Sequence, residues 1–265
     1  MDIVTAIILG IVQGLTEFLP VSSSGHLVLA ESLIGNLPSE QDAAAVNVLV
    51  HLGSLLAILL VLRRDIVALV WPRIDWRVAL LLIYVSIPAA IAGLSIKYAL
   101  PDDVEHTLLG SPWVACAGLL VTSIILYISE RPREERVDLT TVRGGEWWRA
   151  GLVGLAQAVA ILPGVSRSGS TICSALLLGW RRPAAVTLSF LMGSVAISGA
   201  GILEARTISE LDPASALAAF GASLVFSLLG LKLVQMVVIG RRLRWFSLYT
   251  GIVGLGGLIA FALLG

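Results

Sequence analysis

Two polar stretches interrupt an otherwise apolar chain, and their residue types suit a phosphate. The first runs Gln13-Gly14-Leu15-Thr16-Glu17-Phe18-Leu19-Pro20-Val21-Ser22-Ser23-Ser24-Gly25-His26. Gln13 and Glu17 are spaced i, i+4, so on a helix they share one face. A carboxylate and an amide oxygen there can hold a hard cation such as Mg²⁺ or Ca²⁺; otherwise Glu17 serves as the structural partner of an arginine. His26, directly after the serine run, can act as nucleophile, base or acid, or be structural. The second stretch runs Pro163-Gly164-Val165-Ser166-Arg167-Ser168-Gly169-Ser170-Thr171. Arg167 carries a planar fork matched to phosphate. The flanking hydroxyls and the start of the helix expected after them also favour an anion. Phosphate is the ligand group this set suits best, and an Arg167–Glu17 salt bridge in its absence is compatible with that reading.

Composition says what surrounds these stretches. Of 265 residues, 57% are hydrophobic and 14% charged, against about 25% charged in soluble domains. Mean hydropathy is +0.93. So few charges cannot cover a soluble globule, and the hydrophobicity excludes disorder. The 18 basic and 18 acidic residues cancel, which argues against a nucleic-acid partner. Cys116 and Cys173 sit in apolar runs without metal or disulfide spacing. An all-α polytopic membrane protein, a single domain over 1–265, is the class that remains.

Six apolar runs reach spanning length: 43–62, 78–96, 113–129, 183–203, 213–231 and 245–265. Two others, 3–21 and 150–165, break at Pro20 and at Pro163-Gly164. Each is followed by a short apolar segment, 27–34 and 171–180. At 1.5 Å per residue these cover about 12–15 Å, half of a ~30 Å hydrocarbon core. The expected arrangement is two re-entrant helix hairpins whose polar breaks lie at membrane depth, shielded by protein or a wet cavity. Met1-Asp2-Ile3 lacks the basic start of a cleavable signal peptide, so the first segment is expected to stay.

Fourteen of the 18 basic residues fall in four loops: Arg63, Arg64, Arg73 and Arg77; Arg131, Arg133, Arg136, Arg143 and Arg149; Arg181 and Arg182; Arg241, Arg242 and Arg244. The other loops carry Asp102, Asp103, Glu105, Glu210 and Asp212, with only Lys97 and Arg206 basic nearby. With the first hairpin entering from outside, every basic loop is cytoplasmic, as the positive-inside rule prefers. Both termini then lie outside and the second hairpin enters from the cytoplasm. Trp71, Trp76, Trp113, Trp147, Trp148 and Trp245 suit interfacial belts. His51, His106, Glu31 and Glu204 are read as structural or solvated.

The halves resemble each other at an offset of 144. Gly10-Ile11-Val12-Gln13 matches Gly154-Leu155-Ala156-Gln157, and Ser22-Ser23-Ser24-Gly25 matches Ser166-Arg167-Ser168-Gly169. Farther on, Leu52-Gly53-Ser54 resembles Met192-Gly193-Ser194, four residues closer. Each half (about 1–130 and 147–265) is one hairpin plus three spans. That odd number of crossings inverts the second copy, and inverted repeats place sites at broken helices near the midplane.

At these residues the chain resembles the undecaprenyl pyrophosphate phosphatases, the integral-membrane family associated with bacitracin resistance. That family carries (Glu/Gln)-x-x-x-Glu followed by Phe-Leu-Pro-Val-Ser-Ser-(Ser/Thr)-Gly-His, and Pro-Gly-x-Ser-Arg-Ser-x-x-Thr; both stand here, at 13–26 and 163–171. Many members have Glu where this chain has Gln13. The resemblance implies hydrolysis of undecaprenyl diphosphate to undecaprenyl phosphate and phosphate, recycling the carrier lipid for cell-wall synthesis in the plasma membrane. It also implies dependence on Mg²⁺ or Ca²⁺, with Glu17, and Gln13 beside it, binding the metal or managing protons. By position, Arg167 would hold the diphosphate, supported by Ser166, Ser168, Thr171, Ser22 and Ser24. Ser23 or His26 would be the nucleophile, or His26 would activate Ser23. A homodimer is compatible with the resemblance. The rival reading is a flippase or transporter of a polyprenyl phosphate lipid, which shares the architecture and breaks no bond.

Overall fold

The computed structural model describes residues 2–34, 40–70, 75–131, 134–139, 142, 146–204 and 212–264. Expectations on Trp71, Arg73, Arg133, Arg143, Arg206 and Glu210 lie outside the described residues. So do those on the side chains of Glu31, Asp102, Asp103, Glu105, His106 and Glu204.

The described chain is helical: α1 Ile3–Thr16, α2 Ser23–Ile34, α3 Glu40–Val61, α4 Arg63–Val70, α5 Trp76–Ala99, α6 Asp102–Leu109, α7 Pro112–Ser129, α8 Trp147–Val159, α9 Arg167–Leu177, α10 Arg182–Glu204, α11 Pro213–Ile239 and α12 Leu243–Leu264. Its only strand-like pairing among the described residues is an isolated parallel bridge between Val137 and Trp180. Five of these helices, α5, α7, α10, α11 and α12, are long and apolar enough to cross a membrane. The sixth expected span, 43–62, folds within α3, whose described apolar stretch is Ala45–Val61. Large apolar side chains such as Ile83, Ile91, Ile202, Leu217 and Ile252 point outward and are exposed. An apolar exterior of this extent requires lipid as the solvent. The chain is a multi-pass membrane protein.

Differences from the sequence expectation have local causes. The short segments begin at Ser23 and Arg167, four residues before the apolar runs do, because serines can cap a helix and so extend it into polar sequence. The 213–231 run continues to Ile239: Lys232 interrupts the hydropathy but not the helix, since a lysine stem can lie along apolar surface. The loop helices α4 and α6 were not expected, being only eight residues each.

Small residues bring the helices that carry the breaks close to their neighbours. A Cβ on Gly10 would sit 2.5 Å from the Ala219 carbonyl oxygen, and one on Gly14 2.7 Å from that of Ser223. Gly53 of α3 meets the Phe220 carbonyl in the same way, at 2.6 Å. Ser54 bridges this seam, 3.2 Å from the Ser223 hydroxyl and 2.9 Å from that of Ser227. Close backbone approach and interhelical hydroxyl bonds are what bind helices in lipid, where burial of apolar surface offers little. So α1 and α3 lie on α11. Gly154 of α8 lies against the Val85 carbonyl of α5.

Arg182 anchors the opposite end of the bundle from Asn47 on α3. It is buried, with Nη1 3.3 Å from Glu130 Oε1 and donating to the Val238 carbonyl at 2.8 Å. Two neighbouring acids therefore offset a cation that would be costly alone: Nε also donates to Glu135 at 3.3 Å.

Candidate active site at the junction of the two breaks

α1 stops at Thr16, and Glu17 is its C-cap, with its N–H on the Gln13 carbonyl. The chain turns through 17–21. Phe18 is buried there, edge-to-face on Phe190 of α10 with centroids 5.8 Å apart, which fixes where Glu17 can point. Ser22 has φ +65, a conformation unusual for a residue with a Cβ, and its hydroxyl accepts from Gly25 N–H at 3.3 Å to begin α2. The second break repeats this chemistry. Gly164 has φ +86, and the Ser166 hydroxyl caps α9 by accepting from Gly169 N–H at 3.1 Å.

The two breaks touch. A Cβ on Gly25 would lie 2.6 Å from Gly164 Cα, so only glycine allows this crossing. Thr122 of α7 ties down the second break, donating to the Gly164 carbonyl at 2.8 Å and accepting from Ser166 N–H at 2.9 Å.

At that crossing Arg167 Nη2 donates to Glu17 Oε1 at 2.6 Å. Arg167 Nη1 donates to the Ser189 carbonyl of α10 at 3.3 Å. Glu17 Oε2 accepts from Gln13 Nε2 at 2.8 Å. Both side chains of the ion pair are mostly buried, at 18% and 10% exposure, so solvent screens the pair weakly. The carboxylate of one break and the guanidinium of the other thus meet, as the sequence allowed.

The hydroxyls divide into two groups. Ser23 is half-buried and Ser24 exposed, whereas Ser22, Ser166, Ser168 and Thr171 are buried. Ser168 donates to the Leu19 carbonyl at 3.2 Å, and the Thr171 hydroxyl lies 2.7 Å from that of Ser189. In this state Ser168 and Thr171 bind α9 to its neighbours. His26 stands apart from Glu17: its Nδ1 is 2.8 Å from the Ser22 carbonyl and its Nε2 2.8 Å from the Tyr249 hydroxyl, with the two rings stacked. A carbonyl only accepts, so Nδ1 carries a proton; in the neutral ring Nε2 then accepts from Tyr249.

The family model described as bacitracin resistance protein BacA matches residues 6–256. The chain belongs to that family. A protein of Methanosphaera stadtmanae named undecaprenyl-diphosphatase is 36% identical over 278 residues, covering 96% of each chain. One of Carboxydothermus hydrogenoformans with the same name is 36% identical over 262 residues, covering 96% of this chain and 95% of its own. One of Desulfosudis oleivorans, also so named, is 38% identical over 277 residues.

Two residues of this BacA-family site were missed in the sequence. His51 of α3, read there as structural or solvated, has Nε2 3.0 Å from Gln13 Nε2 and 3.7 Å from Glu17 Oε2. Its Nδ1 lies 2.7 Å from the Asn47 carbonyl and so donates, leaving Nε2 to accept from Gln13. The available signal was Asn47 and His51 at i, i+4 in an apolar helix, the spacing that marked Gln13 and Glu17. Tyr249 lies 223 positions from His26, and no local pattern joins them.

Among the described residues, no group of three or more His, Cys, Asp and Glu could form a protein-only metal cage. The ligands at hand are the Glu17 carboxylate and His51; Gln13 turns its Nε2 to both of them, so its amide must turn over before Oε1 can reach a cation. Mg²⁺ is commonly held by one or two carboxylates together with substrate phosphates and waters, and the set fits that shared mode.

Gly193 of α10 makes room for the arginine. A Cβ there would sit 2.8 Å from Arg167 Cζ and closer still to Nη1. Gly193→Ala should therefore displace the guanidinium. Because an ångström-scale misplacement can cost on the order of 10²-fold, phosphate release should fall by about that factor with little change in thermal stability.

Proposed function

We propose that this chain hydrolyses undecaprenyl diphosphate to undecaprenyl phosphate and inorganic phosphate, the activity named in its relatives. One observation carries the reading: the Glu17–Arg167 pair at the crossing of two broken helices inside an apolar protein. Ionisable residues in such a place point to function, the planar fork of Arg167 suits a phosphate, and an anion fixed to a lipid tail explains why the site lies within a membrane. Phosphoryl transfer chiefly needs charge neutralisation and positioning. Arg167 binds the distal phosphate, with the serines of both breaks around it.

Ser23 and His26 are spaced i, i+3 on α2, hence on one face. In our reading Ser23 Oγ attacks the distal phosphorus and passes its proton to His26 Nε2, once the Tyr249 hydroxyl turns away. The bridging P–O bond breaks and undecaprenyl phosphate leaves with that oxygen. Water then cleaves the phosphoserine and frees phosphate. Glu17, with the Gln13 amide, would hold Mg²⁺ or Ca²⁺. When bound, the cation neutralises diphosphate charge.

The same proposal takes the breaks as re-entrant hairpins of an inverted repeat. Supporting this, Ser22 and Ser166 cap equivalent helices 144 residues apart, and Gly10 on α11 mirrors Gly154 on α5. The basic loops support termini that face outside, and the activity named in the relatives supports the plasma membrane as the location. Cysteine labelling of intact cells should reach 102–105 but not 131–149 from outside.

The decisive test is phosphate release from undecaprenyl diphosphate by pure protein in detergent, with and without Mg²⁺ or Ca²⁺. Release that disappears in Arg167→Ala supports hydrolysis. Lipid movement across vesicles without release would establish the flippase instead.

A further inference from the structure

Two cavities among the described residues differ in what they reach. The larger, about 360 Å³, lies between α5 and α8 beside Tyr84, Pro88 and Leu152. None of its lining residues touches Glu17 or Arg167, so it can serve as an ordinary lipid contact. The smaller, about 170 Å³, is a cleft between α3 and α10 walled by Val48, Leu52, Ile197, Ala200 and Gly201. Asn47 and Ala200 are exposed at its mouth, next to the outward-facing Ile202. Its other lining residue is His51, which bonds Gln13 and faces Glu17. A largely apolar cleft thus opens at the exposed surface and has at its lining His51, which adjoins the charged pair.

We propose that the α3–α10 cleft is the subsite for the prenyl carbons next to the diphosphate. His51 marks the boundary between lipid tail and phosphate. The occupant follows from the two ends of the cleft: an amphiphile with an anionic head at Glu17–Arg167 and a hydrocarbon stem between α3 and α10. The small volume suits only the carbons adjoining the head, and the rest of the tail stays in the bilayer. This rests on the diphosphatase reading above and adds where the lipid lies. Gly201 is the gatekeeper. A Cβ there would make ordinary contact with Leu52, at 3.4 Å, so alanine fits, whereas a large side chain would fill the cleft.

The test compares undecaprenyl diphosphate, farnesyl diphosphate and tail-free methyl diphosphate in wild type, Gly201→Ala, Gly201→Trp and Ala200→Phe. Filling the cleft should raise KM for both prenyl substrates by on the order of tenfold or more, since single methylenes in apolar pockets already count for 10–200-fold in discrimination. Methyl diphosphate turnover should stay near wild type, and Gly201→Ala, whose Cβ only touches Leu52, should raise KM for the prenyl substrates less than Gly201→Trp does. Leu152→Trp, in the other cavity, should leave chain-length dependence unchanged. Equal losses on all three substrates, or a chain-length effect from Leu152→Trp and not from Gly201→Trp, would overturn the proposal. A photoreactive prenyl diphosphate supplies an independent readout. Labelling should map to α3 and α10; labelling of α5 and α8 alone would refute the cleft. If wild type releases no phosphate from any substrate, the hydrolase reading fails, while the labelled peptides still decide the cleft.

Discussion

Arg167→Lys is expected to abolish most phosphate release although the charge is kept. In the folded protein the guanidinium already uses separate nitrogens for separate partners: Nη2 for Glu17 of the first break, and Nη1 for the Ser189 carbonyl of α10. That leaves its remaining N–H groups fixed in direction for an incoming phosphate. A lysine ammonium is a point charge on a flexible stem, and it cannot span Glu17, Ser189 and a phosphate with the geometry of a planar fork. Loss of one preorganised donor to a developing phosphate charge costs on the order of 10²–10³-fold, and that is the expected fall in kcat/KM, with KM rising. Steady-state kinetics on the purified variant, with thermal unfolding as the folding control, decides it. Near-normal turnover with lysine would make Arg167 a structural counter-ion to Glu17 and nothing more.

The breaks were legible because polar sequence is rare here. Pro20 with the serine run, and Pro163-Gly164 with Arg167, could not continue spanning helices. The structure ends α1 at Thr16 and α8 at Val159, ahead of both prolines. The Glu17–Arg167 meeting was legible as one of two ways to compensate the arginine in an apolar chain, the other being a bound phosphate. What stayed hidden depends on which helix faces which. His51 reaches the site because Gly53 and Ser54 press α3 onto α11, beside α1. Tyr249 reaches His26 because α12 returns past α2's neighbour α7, where Ser123 donates to the Ser247 carbonyl at 2.7 Å. Small residues make those contacts, and their positions in an apolar helix carry no directional signal before the partner helix is known.

Glu17 carries the second large effect. Its two oxygens are divided between Arg167 and Gln13, so the carboxylate offsets the arginine and remains the strongest oxygen donor at the site for a hard cation. Glu17→Gln keeps the shape and removes the charge. Phosphate release stimulated by Mg²⁺ or Ca²⁺ should disappear, and activity should fall on the order of 10²-fold or more. Arg167 would then be a mostly buried cation without its counter-ion, a loss that in buried pairs runs to about 3–5 kcal/mol. Its 18% exposure places the cost at the low end. Thermal stability should drop accordingly and recover in part with inorganic phosphate, which would supply Arg167 with a new anion. Gln13→Glu sets two carboxylates at hydrogen-bonding distance, since Gln13 Nε2 is 2.8 Å from Glu17 Oε2. They repel unless a cation lies between them, so this variant should stay active and depend more steeply on metal. Titrating Mg²⁺ and Ca²⁺ against phosphate release for both variants separates the roles. A wild-type metal response in Glu17→Gln would remove Glu17 as the ligand and leave the site to Arg167, His26 and the hydroxyls of the two breaks.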